Sequence, residues 1–279
     1  MTAWLFYNSK RGFFSLERYL LGMTDNPLRA KHPIKAAKTT FDIIEALKEL
    51  DGAGVSEIAD RLDLGKSNVH NYLSTLEQEG YVHKDGTQYN VGLQFLELGA
   101  YARQKRPVYE VARPELRDLA EKTGERANLL VEEHGKGSYL YHETGSQAVK
   151  VDAYVGSQVH LHNTALGKAV MAHLSDERVE EILDWHGMPR TTENTITDRE
   201  ELKEELVTVR EQGVAFDREE RLKTLRCVAV PVLGKDSRIE GAISVSGPKT
   251  RFQGARFEQE LPNQLQQVAE VIELNITYG

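Results

Sequence analysis

Residues 54–91 restrict this chain more tightly than any other stretch. Gly54-Val55-Ser56-Glu57-Ile58-Ala59-Asp60-Arg61-Leu62 reads as a short helix, Leu64-Gly65 as a tight turn and residues 66–80 as a second helix. A small hairpin follows over 81–91. Helix, turn, helix and hairpin in that order describe a winged helix-turn-helix, a unit that sets its second helix in the DNA major groove.

The second helix carries the strongest signal. Val69, Tyr72, Leu73 and Leu76 fall at i, i+3, i+4 and i+7, which makes one face core. Lys66, Ser67, Asn68, His70, Asn71 and Ser74 are left on the opposite side. Asn and Ser can read base edges, while a lysine and a helix N-terminus favour phosphate. A solvated polar face would leave the same pattern; the flanking helix, turn and hairpin favour DNA. Ser56 is the expected N-cap of the first helix, and Gly65 the expected positive-φ residue of the turn. Asp85-Gly86 is the expected two-residue hairpin turn, with His83, Lys84, Thr87 and Gln88 along the wing.

Before this unit, Phe41, Ile44, Leu47 and Leu50, with Ile43 alongside, predict a helix over 34–50, stopped by Asp51-Gly52-Ala53-Gly54. After it, Leu93, Leu96, Gly99 and Ala100 share one side of a helix over 93–106, a linker and dimer contact that ends at Pro107. The expected domains are therefore an extension over 1–33, the winged helix-turn-helix over 34–92, the linker helix, and a second domain over 107–279.

A length of 279 residues suits two domains, and 40% hydrophobic residues are enough for real cores. Cys227 is the single cysteine, which excludes an internal disulfide framework and a zinc site of several thiolates, and fits a reducing cytoplasm. Net charge is −8, concentrated in the second domain; residues 24–106 carry 11 Lys and Arg against 12 Asp and Glu. Groove contacts require a local cation cluster rather than a global excess.

Residues 1–22 are apolar but broken by Lys10, Arg11, Glu17 and Arg18. No run approaches the ~18 residues that span a bilayer, and the basic pair sits too late for a secretory signal. A segment outside the module, with Met23 as initiator, is the expectation; a small amphipathic anchor is the alternative.

From residue 107 the pattern turns mixed. A helix runs to about Thr123 and ends at Gly124, followed by strands over 128–132 and 138–142. Val149, Val151, Ala153 and Val155 alternate like a half-buried strand. Residues 164–174 and 175–185 read as helices, and Thr197-Asp198-Arg199-Glu200 as a capping box opening another that Gly213 closes. Residues 227–233 and 239–246 form a hairpin, and a last helix spans about 255–276. The class is α+β with an antiparallel sheet.

Val55-Ser56-Glu57-Ile58-Ala59, His162-x-Thr164-Ala165-Leu166-Gly167-Lys168-Ala169, Gly213-x-Ala215-x-Asp217-x-Glu219-Glu220, Arg226-Cys227-Val228-Ala229-Val230-Pro231 and Ile243-Ser244-Val245-Ser246-Gly247-Pro248 together resemble the IclR family of transcriptional regulators over residues 34–278. The resemblance implies a winged helix joined to a GAF-like effector domain, its antiparallel sheet flanked by helices. It further implies a small, usually carboxylate-bearing effector and dimers or tetramers on palindromic double-stranded operators. The effector residues it implies are Thr164, Ala165, Asp217, Leu225, Cys227, Ser244 and Ser246. A buried Asp217 beside an anion would accept a ligand hydroxyl or be protonated. Two departures stand out: Thr224 occupies a position where the family usually has Gly, and Asn68 and Asn71 replace the common Thr and Arg of the recognition helix.

Rival readings are an enzyme and a metal or metabolite sensor with no DNA role. No Gly-x-Ser-x-Gly elbow occurs, and Cys227 lies in an apolar run that favours an inert thiol. His160 and His162, read as one face of a strand with His142 and His134 nearby, are the metal candidates, against the commoner polar strand face. No catalytic residue, metal or cofactor is expected, and no membrane partner.

Overall fold

The computed structural model describes residues 30–279; the expectations for residues 1–22 lie outside the described residues. Three helices and a hairpin occupy 35–91: α1 (Lys35–Glu49), α2 (Val55–Leu62), α3 (Lys66–Gln78), β1 (Val82–Asp85) and β2 (Gln88–Val91). Ile43, Leu47, Ile58, Val69 and Leu73 form the buried centre, closed by Leu76, Val82 and Tyr89.

Local chemistry departs from expectation at four points. Phe41 is 57% exposed, and the buried stripe of α1 is Ile43, Ala46 and Leu47; two residues turn a helix by about 200°, so Phe41 and Ile43 cannot share a face. Gly54, not Ser56, holds the N-cap of α2 and donates its N–H to Glu57 Oε2 at 2.8 Å. Asp63 takes the left-handed conformation in the turn (φ 54), while Gly65 is extended (φ −67). Aspartate visits that region more readily than most residues. In the hairpin Asp85 pairs with Gln88, so the loop is Gly86-Thr87 with positive φ at Gly86 alone, the pattern of a type II′ turn.

Helix α4 (Gln94–Gln104) has no buried residue; Leu96, Leu98 and Tyr101 are all exposed, as is Leu93 before it. The chain divides into two compact units between Ala102 and Arg103, inside this helix.

The second unit comprises α5 (Pro107–Thr123), β3 (Arg126–Glu133), β4 (Lys136–Thr144), β5 (Gln158–Val159), α6 (Ala165–Met171), α7 (Asp176–His186), α8 (Arg199–Gln212), β6 (Ala215–Arg218), β7 (Leu225–Leu233), β8 (Ile239–Pro248) and α9 (Leu261–Tyr278). The strands form one antiparallel sheet in the order β5-β4-β3-β8-β7-β6. Alternation assigns its faces. Leu129, Val228, Val230, Ile243 and Val245 pack beneath α5 and α9. Leu130, Cys227, Ala229 and Ala242 face the layer of α6, α7 and α8.

Two expectations fail in this unit. Residues 149–155 are irregular, and only 158–159 join the sheet edge beside β4. Part of the alternation is real in burial, with Ala153 buried and Tyr154 exposed, but it belongs to a loop, and Val155 is exposed. Helix α8 is capped by Asp198, whose Oδ1 accepts the N–H groups of Glu200 and Glu201 at 3.0 Å; Thr197 instead accepts from Arg190 at 2.7 Å.

Candidate functional site

Strand register assembles the site. Arg126 pairs with Ser246, Ser246 with Cys227, and Cys227 with Asp217. Directly paired residues project to the same side of a sheet, so these four side chains make one row across β3, β8, β7 and β6. At about 4.8 Å per strand the row is about 14 Å long. Helix α6 begins against it, with the Thr164 hydroxyl accepting the Gly167 N–H at 3.0 Å. Row, helix start and the 145–157 loop enclose a cavity of about 390 Å³ including its open mouth.

Of the seven expected effector residues, Thr164, Ala165, Asp217, Leu225, Cys227 and Ser246 line this cavity. Ser244 does not. It sits fully buried one row away and accepts from Asn128 Nδ2 at 3.1 Å. Four further polar residues line the cavity: Arg126, Asn128, Tyr139 and Arg221. Arg126 lies two residues ahead of the strand expected over 128–132, because β3 begins at Arg126 itself. Asn128 links the two rows, since its Oδ1 accepts from Arg126 Nε at 2.9 Å while its amide reaches Ser244 and, at 3.4 Å, Ser246.

The loop over the mouth is pinned by the two arginines. Arg126 donates to the Ala153 carbonyl at 2.6 Å, and Arg221 pairs with Asp152 at 2.7 Å. Behind Asp217 lies Lys168, 1% exposed, with its Nζ 2.7 Å from Glu220 and 2.9 Å from Glu205. The hydroxyls of Thr191, Thr192 and Thr195 tie down the Glu219 and Glu220 carbonyls. Glu219 and Thr224 both have positive φ (68 and 67). Thr224 thus takes the backbone that a glycine would adopt there without strain, at a cost of about 1–2 kcal/mol.

Burial, with the Glu220 carboxylate second, pushes the Asp217 carboxyl up to about 7, while Oδ1 accepts the Glu220 N–H at 2.7 Å. Burial likewise pushes the Cys227 thiol up to about 12, the signature of an inert group. The folded protein holds a proton on Asp217 from its unfolded value near 3.8 up to about 7. Stability from this group is full below pH 4 and lost as pH rises through 7. Urea melts from pH 5 to 7.5 should show a steeper loss for wild type than for Asp217→Asn; parallel slopes would rule the assignment out.

The ring of His160 lies between those of His162 and His186, 6.4 Å from the latter, while those of His142 and His134 make no ring contact with them among the described residues. His160 and His162 lie in the turn beyond β5 rather than on a strand, their rings 5.6 Å apart. Burial pushes His162 down to about 4. His142 sits opposite Asn128 on β4, and His134 accepts from His186 through its carbonyl. Among the described residues no three His, Cys, Asp or Glu are grouped to hold a metal ion.

In the first unit, Lys66, Ser67, Asn68, His70 and Asn71 are exposed on α3 opposite Val69, Leu73 and Leu76, and Ser74 is half-buried. No side chain caps α3, leaving its first N–H groups open to an anion. His83, Lys84 and Gln88 are exposed on the hairpin; Gln88 reaches Glu57 of α2 at 3.3 Å.

Residues 36–86 match the IclR helix-turn-helix domain, and residues 100–274 match the bacterial transcriptional regulator IclR C-terminal domain. The chain belongs to the IclR family. It is 33% identical to a probable HTH-type transcriptional regulator ArcR of Halobacterium salinarum, over 87% of this chain and 94% of that one. Among solved structures, the Thermotoga maritima IclR superposes with TM-score 0.72 at 29% identity, covering 87% of this chain and 99% of its own. An IclR homologue from Microbacterium hydrocarbonoxydans complexed with 4-hydroxybenzoate shares the fold at 22% identity, TM-score 0.72, covering 85% and 98%. As an IclR regulator, the chain pairs a DNA-binding helix-turn-helix with a C-terminal effector domain. Among the described residues no helix is long and apolar enough to cross a membrane.

Proposed function

We propose that this IclR regulator binds a palindromic double-stranded operator as a cytoplasmic homodimer or homotetramer, and that a small carboxylate-bearing metabolite in the C-terminal cavity controls that binding. The enclosed polar row from Arg126 to Asp217 carries the reading. Arginine, serine and aspartate set side by side along one wall of a cavity are the convergent polar groups of a small-molecule site. The fold relative's 4-hydroxybenzoate supports a carboxylate of small size. The exposed apolar residues Leu93, Leu96, Leu98 and Tyr101 support self-association through the 93–106 segment.

Lys66, Ser67, Asn68, His70, Asn71 and Ser74 would face the major groove, with His83, Lys84 and Gln88 along the backbone or minor groove. Effector binding would bias two arrangements of the paired DNA-binding units through that segment. The first test is binding of purified protein to its own upstream DNA against a shuffled duplex, across a salt series. Preference for the native duplex that persists as salt rises is the expected result, since base contacts outlast counterion release. Equal binding at every salt concentration counts against it.

Asn71→Ala should relax base choice at one operator position by about 1–3 kcal/mol with little change elsewhere, read by binding to a single-substitution operator set. Ser246→Ala should weaken the response to effector while operator affinity without effector stays near wild type. Loss of DNA binding by a folded Ser246→Ala protein would remove the serine from the pocket assignment.

A further inference from the structure

Arg126 is 6% exposed, yet its two hydrogen bonds go to neutral oxygens, Asn128 Oδ1 and the Ala153 carbonyl. A guanidinium has five N–H donors, these two bonds use two of them, and Arg126 lines the cavity. No carboxylate of the described residues accepts from it. Burial lowers its pKa and Arg221 adds a like charge, offset in part by Tyr139 and the Asp152 carboxylate nearby. A buried cation without a contacting anion is costly, and an arriving carboxylate would relieve that cost. Thr164 and Ser246 offer neutral groups between the ends of the row. Asp217 closes the far end of the row.

We infer that Arg126 is the anion receptor of this pocket, and that its ligand is a short hydroxy acid, its carboxylate on Arg126 and its hydroxyl on Ser246, the next residue of the row. This deepens the effector reading above and rests on it. The same guanidinium holds the Ala153 carbonyl, so a bound carboxylate and the 145–157 loop share one side chain.

The test uses the full-length protein and calorimetric titration with glycolate, lactate and glycerate. Lactamide, which lacks the charge, and propionate, which lacks the hydroxyl, are the matched controls. At least one hydroxy acid should bind wild type, with the paired controls weaker, lactamide by about 30-fold or more. Arg126→Gln should weaken the hydroxy acid by a similar factor and leave lactamide unchanged, while Arg126→Lys recovers part of the loss. Ala165→Leu, which fills the cavity, should abolish all binding. Equal binding of acid and amide to wild type overturns the inference, as does undiminished acid binding to Arg126→Gln. So does a panel in which no hydroxy acid binds. If Arg126→Gln fails to fold, the acid and amide comparison on wild type decides. Binding that survives Ala165→Leu would instead overturn the cavity reading itself.

Discussion

Lys168→Ala should lower the unfolding free energy of the C-terminal unit by about 3–5 kcal/mol in urea melts at pH 7. The lysine is 1% exposed and bonds Glu220, itself 5% exposed, and the half-buried Glu205. Glu220 Oε2 has no hydrogen-bond partner among the described residues. Removing Lys168 therefore strands a carboxylate that water cannot reach. A Lys168→Met, Glu220→Gln double variant should recover most of the loss, because well-packed neutral groups substitute for a buried pair at little net cost. A deficit that ignores the second substitution would mean that lost packing, not charge, is responsible.

Gly167→Ala should cost about 3 kcal/mol, near the upper end of what overpacking does. A Cβ at residue 167 would fall well inside contact distance of the Leu161 carbonyl oxygen and Cα, both backbone. Neither atom can rotate away, so α6 must lift from the 161–163 turn. Thr164 and Ala165 would move with it, and both line the cavity. Thermal melts should show the lower stability, and calorimetry should show weakened hydroxy-acid binding by the fraction still folded at 20 °C. Wild-type affinity in the folded Gly167→Ala protein would mean that the helix start does not shape the site.

The sequence was easiest to read where one short period carries the information. Val69, Leu73 and Leu76 mark the buried face of α3 unaided, and they are buried. Turns were harder, because several residue types compete for one conformation. Asp63, rather than the nearby Gly65, takes the left-handed turn, and the same competition puts Thr224 where a glycine would rest unstrained. The 149–155 loop shows the converse failure, since alternation in burial came from a cavity wall and not from strand pairing. Six of the seven expected effector residues meet in one cavity because motif resemblance encodes what local pattern cannot. Arg126 carried no motif. Its role depends on pairing with Ser246, 120 residues later, and no window of sequence contains both.

That pairing also fixes an order in time. Strand β8 is the wedge between β3 and β7, and it is the last strand of the sheet to be made. Until it has left the ribosome, the β3-β4 ribbon and the β6-β7 hairpin have no common neighbour, and the row from Arg126 to Asp217 is two separate halves. The winged helix is complete by residue 91 and draws only on nearby chain, so it matures first. Each nascent molecule therefore passes through an interval in which it has a grip for DNA and no means of hearing a signal.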